Sequence, residues 1–422
     1  MRKLTMITFF SIVALVAGGV FAFANGQKES ATAATSSNAP VTLSWFMWTG
    51  SQAEADSWKA LAANVTKQYP NINITFDTDS WPGYWAKLQI EIASGTTQDI
   101  LSLQSLRSEG YGSGFLPLDN YIKSDPSINI SDFDKAILPN LTYQGHQIAL
   151  PYDFGPEVIF YNKDMFDKHN VSYPKVGWTV ADFVQAAQKL SAGGDYGFVN
   201  STTIDAFLPF VLSDGGKYLD SNGKYDLTTP ETVKAVQMLA DLVKSGAAPQ
   251  MVATSDSNWT QEQWLAGNVA MHVNGPWQII NFKNTAKFKF GIATDPVGSA
   301  GSVTVTAGSG FGVSKTTKYP EEAFKAVSVL TSPDSLKSLA LAGRAFPART
   351  SVQPSYYQAK GVDPTFEPIL TYAIQHAVPY TITPTWQQAN DMISKAMIPI
   401  YNGQVPVQQG LEQLQQRLNN LQ

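Results

Sequence analysis

The pattern of apolar positions after residue 40 predicts strands and helices that alternate along the chain. The run "VTLSWFMW" (41–48) is continuously apolar and β-branched, which is typical of a buried strand, and the runs 72–76 and 100–103 are strand-like too. Apolar side chains at helical spacing lie between them, over 58–69 and around 85–92. A strand–helix–strand–helix–strand order predicts a parallel sheet that is covered on both faces.

The pattern then begins again and predicts a second α/β unit. Thr179 is placed to cap a helix that runs to Leu190, because Asp182 stands at the third helical position. The other predicted elements are strands at 158–162, 196–200, 269–273 and 288–294 and helices at 231–245 and 260–266. We therefore expect two α/β lobes.

The last third of the chain is predicted to be mostly helical. After a strand-like run at 303–314, helical patterns cover 320–330, 333–342, 364–376, 386–401 and 407–421. In the last of these, apolar residues recur at helical spacing from Val407 to Leu421, which is typical of a helix packed against a core.

The first residues have the pattern of an export signal. Arg2 and Lys3 precede an apolar stretch that ends near Phe23, and Ala22-Phe23-Ala24 has the small-x-small form of a cleavage site. We expect residues 1–24 to be a signal peptide that is cleaved after Ala24, and residues 25–40 to be a flexible leader. The alternative is a retained N-terminal membrane anchor. Since the chain has no cysteine, it has no lipobox, and the expected location is the periplasm.

Composition removes several classes of function. The chain has 422 residues, enough for two domains, and its net charge of −5 comes without a basic run of the kind that binds nucleic acid. Without cysteine there is no thiol catalysis and no thiolate metal site. The four histidines are scattered, and neither a Gly-x-Ser-x-Gly elbow nor a phosphate-binding loop occurs. No catalytic residue, metal or cofactor is predicted.

Three stretches carry motifs in a characteristic order. The first, 143–190, has Gly145, Leu150-Pro151, Tyr161-Asn162-Lys163, Phe166 and Trp178-Thr179. The second, "WLAGNVAMHVNGPW" (264–277), has an aromatic-x-x-Gly-x-x-Ala-Met strand that ends in Gly-Pro-Trp, and the third, 308–349, has a glycine turn, a Pro-Glu-x-Ala helix and a closing Gly-x-x-x-Pro. Together they resemble the solute-binding proteins of bacterial ABC sugar importers, the extracellular solute-binding proteins of family 1 related to maltose-binding protein. The resemblance covers nearly all of 41–422, although Gln98-Asp99 replaces the usual Pro-Asp.

The resemblance implies the type II periplasmic-binding-protein fold, with two α/β lobes, three hinge crossings and a ligand cleft between the lobes. The crossings are expected near Ala149–Asp153, Val303–Ala307 and Arg344–Thr350. The N-terminal lobe would then comprise 41–150 plus 308–345, and the C-terminal lobe 151–303 plus 350–422.

Tryptophans are the first candidates for contact with a ligand in that cleft. One face of a pyranose presents C–H groups that pack on an indole at low desolvation cost. In maltose-binding protein the tryptophan of the Gly-Pro-Trp motif stacks on sugar, and Trp277 matches it; Trp386 matches a second aromatic position. The other predicted ligand-binding residues are Trp48, Trp81 and Gln104 near strand ends, Asp153 and Arg344 near crossings, and Gly308 and Ser309 in the glycine turn. For each tryptophan, core packing is the alternative.

The predicted function is that of a periplasmic receptor that binds a mono- or oligosaccharide and delivers it to the membrane permease of an ABC transporter. The protein is expected to be a monomer and not an enzyme. Two alternatives are a protein of the same fold that binds a non-sugar solute, such as glycerol phosphate or a polyamine, and a secreted carbohydrate-active enzyme. A phosphate ligand would favour several cations in the cleft and a polyamine several carboxylates, and the sequence alone shows neither cluster.

Overall fold

The computed structural model describes residues 39–253 and 259–421. From Pro40 onward, the described residues form one compact unit. The predicted signal peptide and nearly all of the predicted leader lie outside the described residues.

The described residues contain twelve strands and fifteen α-helices. The strands are β1 (Val41–Trp48), β2 (Ile72–Asp79), β3 (Ile100–Gln104), β4 (Thr142–Tyr143), β5 (His146–Gln147), β6 (Leu150–Pro156), β7 (Val158–Asn162), β8 (Tyr196–Val199), β9 (Val269–Asn274), β10 (Phe290–Ala293), β11 (Thr304–Val313) and β12 (Ala377–Pro379). The helices are α1 (Gln52–Gln68), α2 (Trp81–Ser94), α3 (Ser108–Tyr111), α4 (Asp119–Ser124), α5 (Lys163–Lys168), α6 (Val180–Leu190), α7 (Leu208–Ser213), α8 (Pro230–Lys244), α9 (Trp259–Leu265), α10 (Ile279–Thr285), α11 (Pro320–Leu330), α12 (Pro333–Leu341), α13 (Glu367–Gln375), α14 (Trp386–Tyr401) and α15 (Val407–Asn419).

The first large sheet has the strand order β12-β11-β3-β1-β2, and β6 pairs with β11. Strand β1 runs parallel to β2 and to β3, as the alternation of strands and helices predicts. The rest of the sheet is mixed, because β11 is antiparallel to both β3 and β6 and parallel to β12. The direction of β11 relative to its neighbours cannot be predicted from local sequence, because its partner strands are far away in the chain.

The second large sheet has the order β10-β7-β9-β8. Strand β9 is parallel to β8 and antiparallel to β7, which is in turn antiparallel to β10. All five residues of β7 are buried, with Val158 and Phe160 in one apolar cluster and Ile159 and Tyr161 in the other. Since side chains alternate between the faces of a strand, this sheet is covered on both faces. Burial on both faces explains why the sequence of β7 is continuously apolar.

The three segments predicted as crossings lie side by side. Strand β6 pairs with β11 along one edge, with Asp153 opposite Ser309. Along its other edge, the Phe154 amide donates to the Phe346 carbonyl at 3.2 Å, and the Ala348 amide donates to the Tyr152 carbonyl at 3.1 Å. Chain from three distant parts of the sequence therefore meets at Asp153.

Local chemistry explains several helix boundaries. Thr179 and Asp182 form the predicted capping box at the start of α6, which ends at Leu190 as predicted. The predicted helix 364–376 is divided into a 3₁₀ turn at Pro364–Phe366 and helix α13, and prolines lie at the start of both. Within the described ranges, no helix is both long and apolar enough to cross a membrane.

Candidate functional site

Strand direction brings the chemically active side chains to two sheet edges. In the first sheet, the parallel strands β1, β2 and β3 all end at one edge. Trp81 follows β2 at this edge, and Arg107 follows β3. In the second sheet, β8, β9 and β10 end at one edge, and β7 begins there. Open α/β sheets bind ligands at the carboxyl ends of their strands, so these two edges are the places to look for a site.

An aromatic cluster occupies the edge of the first sheet. The rings of Trp48 and Trp81 meet edge to face with their centroids 5.0 Å apart, and Trp85 packs against both. Trp48 is buried and Trp81 is partly exposed. Both predicted tryptophans therefore belong to one cluster, in which Trp81 has the more accessible ring.

Arg107 lies over this cluster and joins it to the helix that follows β12. Its guanidinium carbon is 4.7 Å from the ring centroid of Trp85 and 5.3 Å from that of Trp81, in cation–π geometry. Its Nη1 donates a hydrogen bond to Oε1 of Gln387 in α14. Burial lowers the pKa of Arg107 to about 10, and its Nε has no hydrogen-bond partner. The predicted residue Gln104 precedes the turn that carries Arg107.

Trp277 lies at the edge of the second sheet, directly after β9 and the Gly275-Pro276 break. It is one of the exposed large apolar residues, with 36% of its surface accessible. Its ring folds back over Gly275, where an added Cβ would lie 2.0 Å from two ring carbons, so a side chain at this position would force the ring to move. A hydrogen bond of 2.8 Å from the Tyr356 hydroxyl to the Pro276 carbonyl fixes the turn. Trp277 is therefore held on one side and accessible on the other.

Asp153, Gly308 and Ser309 are brought together where β6 meets β11. The Ser309 amide donates to Oδ1 of Asp153 at 2.8 Å. Burial raises the pKa of Asp153 to about 7, and the positive charge of Arg344 opposes that shift. A Cβ at Gly308 would lie 2.3 Å from the Asp153 carbonyl oxygen, so this glycine is required by the close approach of the two strands.

Arg344 already has an acidic partner. Its Nη2 donates to Oε1 of Glu54, and its guanidinium carbon lies 4.8 Å from the ring centroid of Trp58. Only 15% of the side chain of either member of the ion pair is accessible. The guanidinium acts on Asp153 through its charge while its hydrogen bond is made to Glu54.

Trp386 is packed in the apolar cluster of the second sheet. It is 4% accessible and lies beside Tyr218 and Tyr380, with centroid separations of 6.4 and 5.7 Å. A solute would reach little of this ring in the observed arrangement. Gln387, the next residue, points the other way and contacts Arg107.

Three carboxyl groups that the sequence analysis did not single out meet at the edge of the second sheet. Glu157 precedes β7, Asp295 follows β10, and Asp205 lies in a short turn after β8. Strands β7 and β10 pair Ile159 with Ala293, and extending that register by two residues places Asp295 opposite Glu157. We call Glu157, Asp205 and Asp295 the acidic cluster.

The pKa values of the acidic cluster are all raised. Burial raises the pKa of Asp295 to about 7 and raises that of Asp205, whose Oδ1 accepts a 2.5 Å hydrogen bond from the Tyr380 hydroxyl. For Glu157, burial acts first and the charges of the other two carboxyls add to it, so that its pKa lies well above the ordinary value. Each group therefore opposes ionisation of its neighbours.

Metal and imidazole chemistry find no support in this arrangement. In the two described ranges, no group of three or more His, Asp or Glu side chains has the spacing to hold a metal ion. His272 is buried, which lowers its pKa to about 3, and its Nε2 lies 3.2 Å from Nδ2 of Asn274. A neutral, buried imidazole of this kind is a structural residue.

The nine predicted residues thus fall into four places. Trp48, Trp81 and Gln104 are near the first edge, and Trp277 is at the second. Asp153, Gly308, Ser309 and Arg344 are where the three crossing segments meet, and Trp386 is packed in the second core. The residues missed are Arg107 and the acidic cluster. Glu157 and Asp295 could have been found from the sequence as polar residues that lie just beyond the end of a predicted strand.

Residues 60–364 match the family of bacterial extracellular solute-binding proteins. A putative binding protein of Brucella abortus is 24% identical over 351 residues, which are 79% of this chain and 82% of that protein.

Two solved structures have similar folds. An ABC substrate-binding protein of Listeria monocytogenes in complex with cycloalternan has a TM-score of 0.82 at 23% identity, covering 90% of this chain and 99% of the other. A receptor of Streptomyces glaucescens, solved without ligand and with acarbose, has a TM-score of 0.78 at 24% identity, covering 90% and 98%. The fold is that of the type II periplasmic binding proteins, as predicted.

Proposed function

Since the chain belongs to the bacterial extracellular solute-binding proteins, we propose that it binds a mono- or oligosaccharide and delivers it to the permease of an ABC transporter. The family is one of exported proteins that bind solutes. The identity of the solute and of the transporter are the parts that we add.

One observation carries the proposal for a sugar. Trp277 presents an accessible indole face at a strand-end edge that also carries hydrogen-bonding groups. An aromatic face combined with fixed polar groups is what a pyranose requires, because its C–H face is apolar and its hydroxyls are not. The two structures with similar folds were solved with cycloalternan and with acarbose, which supports the same class of ligand.

The proposed binding mode uses both sheet edges. Trp81 and Arg107 contribute from the first, and Trp277 and the polar groups around Glu157 contribute from the second. We propose for the two lobes the bounds predicted from the sequence, 41–150 plus 308–345 and 151–303 plus 350–422. The contact of Arg107 with Gln387 supports this mode, since it brings a residue at the first edge against helix α14.

Export and assembly follow the predictions from the sequence. Residues 1–24 are removed after Ala24, and the mature protein acts in the periplasm as a monomer. It carries out no catalysis, needs no cofactor and binds no nucleic acid.

The test is isothermal titration calorimetry of the mature protein against a panel of mono- to trisaccharides, with glycerol phosphate and spermidine as non-sugar solutes. We expect a dissociation constant in the micromolar range or tighter for at least one saccharide. Binding of a non-sugar solute with no saccharide bound would contradict the proposal. Release of reducing ends from an oligosaccharide would support the enzyme instead.

A further inference from the structure

The acidic cluster has no positive partner. None of the eight ion pairs between side chains of the described residues includes Glu157, Asp205 or Asp295. The groups that do reach the cluster are neutral. Asp205 accepts hydrogen bonds from the Tyr380 hydroxyl and, at 3.1 Å, from the Thr203 hydroxyl, and the Thr304 hydroxyl donates to the Glu157 carbonyl at 3.1 Å. Asp295 is buried, and Glu157 and Asp205 are half-buried. Carboxyl groups withdrawn from water without a counter-charge are costly to a fold, so their presence needs a reason.

Unpartnered acceptor atoms form a second observation. Oε2 of Glu157, Oδ2 of Asp295 and Oγ1 of Thr306 are all shielded from solvent and have no hydrogen-bond partner. Asp295 is 4% and Thr306 1% accessible. Thr306 lies two residues after Thr304 in β11, so the two hydroxyls are on the same face of the strand, the face that meets Glu157. Buried acceptors of this kind usually have a partner in native proteins.

The location of these atoms connects them to the proposed solute site. Glu157 is next to Val158, which pairs with Asn274 at the end of β9, three residues before Trp277. Glu157 and Asp295 therefore lie at the same edge of the second sheet as the accessible indole, and Thr306 approaches them from β11 of the first sheet. A solute that stacks on Trp277 is placed at the edge where the acceptors lie.

We propose that the solute carries a protonated amine, as an amino sugar does, and that Glu157, Asp295 and Thr306 accept its hydrogen bonds. This inference rests on the proposed function and names the class of its ligand. An ammonium group has three donors and no acceptor. Glu157 and Asp295 each offer it an unpartnered carboxyl oxygen, and the unpartnered Thr306 hydroxyl can accept a third hydrogen bond. The positive charge of the ammonium favours the ionised form of carboxyl groups whose pKa values are raised in its absence, whereas a neutral hydroxyl supplies no such charge.

The test compares sugars that differ only in one group. Glucose, galactose and mannose are titrated beside their 2-amino-2-deoxy forms, and cello-oligosaccharides beside glucosamine oligomers of equal length and linkage. Spermidine, Ca²⁺ and Mg²⁺ are measured alone. Each titration is repeated with Glu157→Gln and with Asp295→Asn, and Glu412→Gln, an exposed acid on α15, is the control.

We expect an amino sugar to bind at least about tenfold tighter than its neutral partner, a preference that corresponds to roughly 1.4 kcal/mol. Both cluster variants should lose this preference, and the control should keep it. Equal or tighter binding of the neutral partner overturns the inference and leaves the proposed function standing. The inference is also overturned if both cluster variants keep the preference for the amino sugar, or if Ca²⁺ or Mg²⁺ alone stabilises the protein.

The other outcomes separate the two proposals. Binding of spermidine with no sugar bound supports a cation at the cluster and contradicts a carbohydrate function. Binding of no compound in the panel contradicts both. Circular dichroism of each variant shows whether it is folded, and because either substitution tests the cluster, one folded variant is sufficient.

Discussion

At the scale of single residues, the account depends most on Trp277, whose ring is held by Gly275 on one side and accessible on the other. Trp277→Ala removes a stacking face, and we expect it to weaken sugar binding by about 1–3 kcal/mol while the protein remains folded. Calorimetry measures the affinity and a thermal melt measures the stability.

Two further variants control this experiment. Tyr319 has an aromatic ring of similar exposure, but it lies beyond the C-terminal end of β11, away from both sheet edges of the proposed site. Tyr319→Ala should therefore leave affinity unchanged. Trp386→Ala empties a packed position and should lower the melting temperature. A Trp277→Ala protein with normal affinity and a large loss of stability would show that Trp277 is a core residue.

Asp153 makes stability depend on pH. In the unfolded chain an aspartate ionises near pH 4, whereas in the folded protein burial raises the pKa of Asp153 to about 7. Between those values the folded state binds more protons, so the free energy of unfolding falls as pH rises. Asp153→Asn should reduce that fall by up to about 1.4 kcal/mol per pH unit.

Urea denaturation at intervals between pH 4 and 8 measures this slope. The pKa of Asp295 is also about 7, so part of the slope should remain in Asp153→Asn. Asp56→Asn, an exposed carboxylate on α1, is the matched control and should follow the wild type. Identical slopes in Asp153→Asn and the wild type would show that Asp153 is ionised throughout the range.

Single residues were the hardest part to predict from the sequence. The tryptophans were found because a strand end followed by an aromatic residue is a local pattern. The acidic cluster was missed because Glu157, Asp205 and Asp295 come from three separate loops, and only the pairing of β7 with β10 brings two of them face to face. The exposure of Trp277 against the burial of Trp386 also depends on packing that no local pattern reports.

At the scale of elements, the junction of β6 and β11 explains why the crossing segments are conformationally restricted. Gly308→Ala would place a Cβ 2.3 Å from a backbone oxygen of β6, and backbone has little room to shift in a paired strand. We expect a loss of about 1–3 kcal/mol in the free energy of unfolding, measured by urea denaturation.

Gly110→Ala provides the comparison for that variant. Gly110 is in α3, and an added Cβ there would have no heavy atom within 4 Å. Alanine is also the better helix former, so this variant should be as stable as the wild type or slightly more stable. Equal stabilities for the two alanine variants would contradict the close approach of β6 and β11.

Elements with a strong apolar period were predicted well. The bounds of β1, β7, α6, α11 and α14 agree with the sequence pattern, because each is long or continuously apolar and carries its own boundary residues. The direction of β11 and its partners were not predicted. They depend on pairings between residues that are far apart in the sequence, such as Ser309 with Asp153.

At the scale of the whole molecule, export gives a prediction about the chain itself. We expect the mature protein to begin at Asn25, because Ala22-Phe23-Ala24 is the cleavage context that follows the apolar run. N-terminal sequencing of protein recovered from the periplasm tests this directly. A mature chain that retains residues 1–24 would support the membrane anchor.

The central claim for the whole molecule is that one solute contacts both sheet edges. A ligand that binds one edge alone has no reason to prefer a closed arrangement of the lobes, whereas a ligand that bridges them shifts the equilibrium towards closure. The absence of cysteine allows a direct measurement, since introduced cysteines are the sole sites for thiol-reactive spin labels.

The measurement is pulsed dipolar spectroscopy between labels at Gln89→Cys in α2 and Lys244→Cys in α8, two exposed positions in the two proposed lobes. Distances are recorded without ligand and with a saccharide whose binding to the labelled protein is shown by calorimetry. The account predicts that the saccharide shifts and narrows the distance distribution. An unchanged distribution with the saccharide bound would contradict closure around a solute held by both edges.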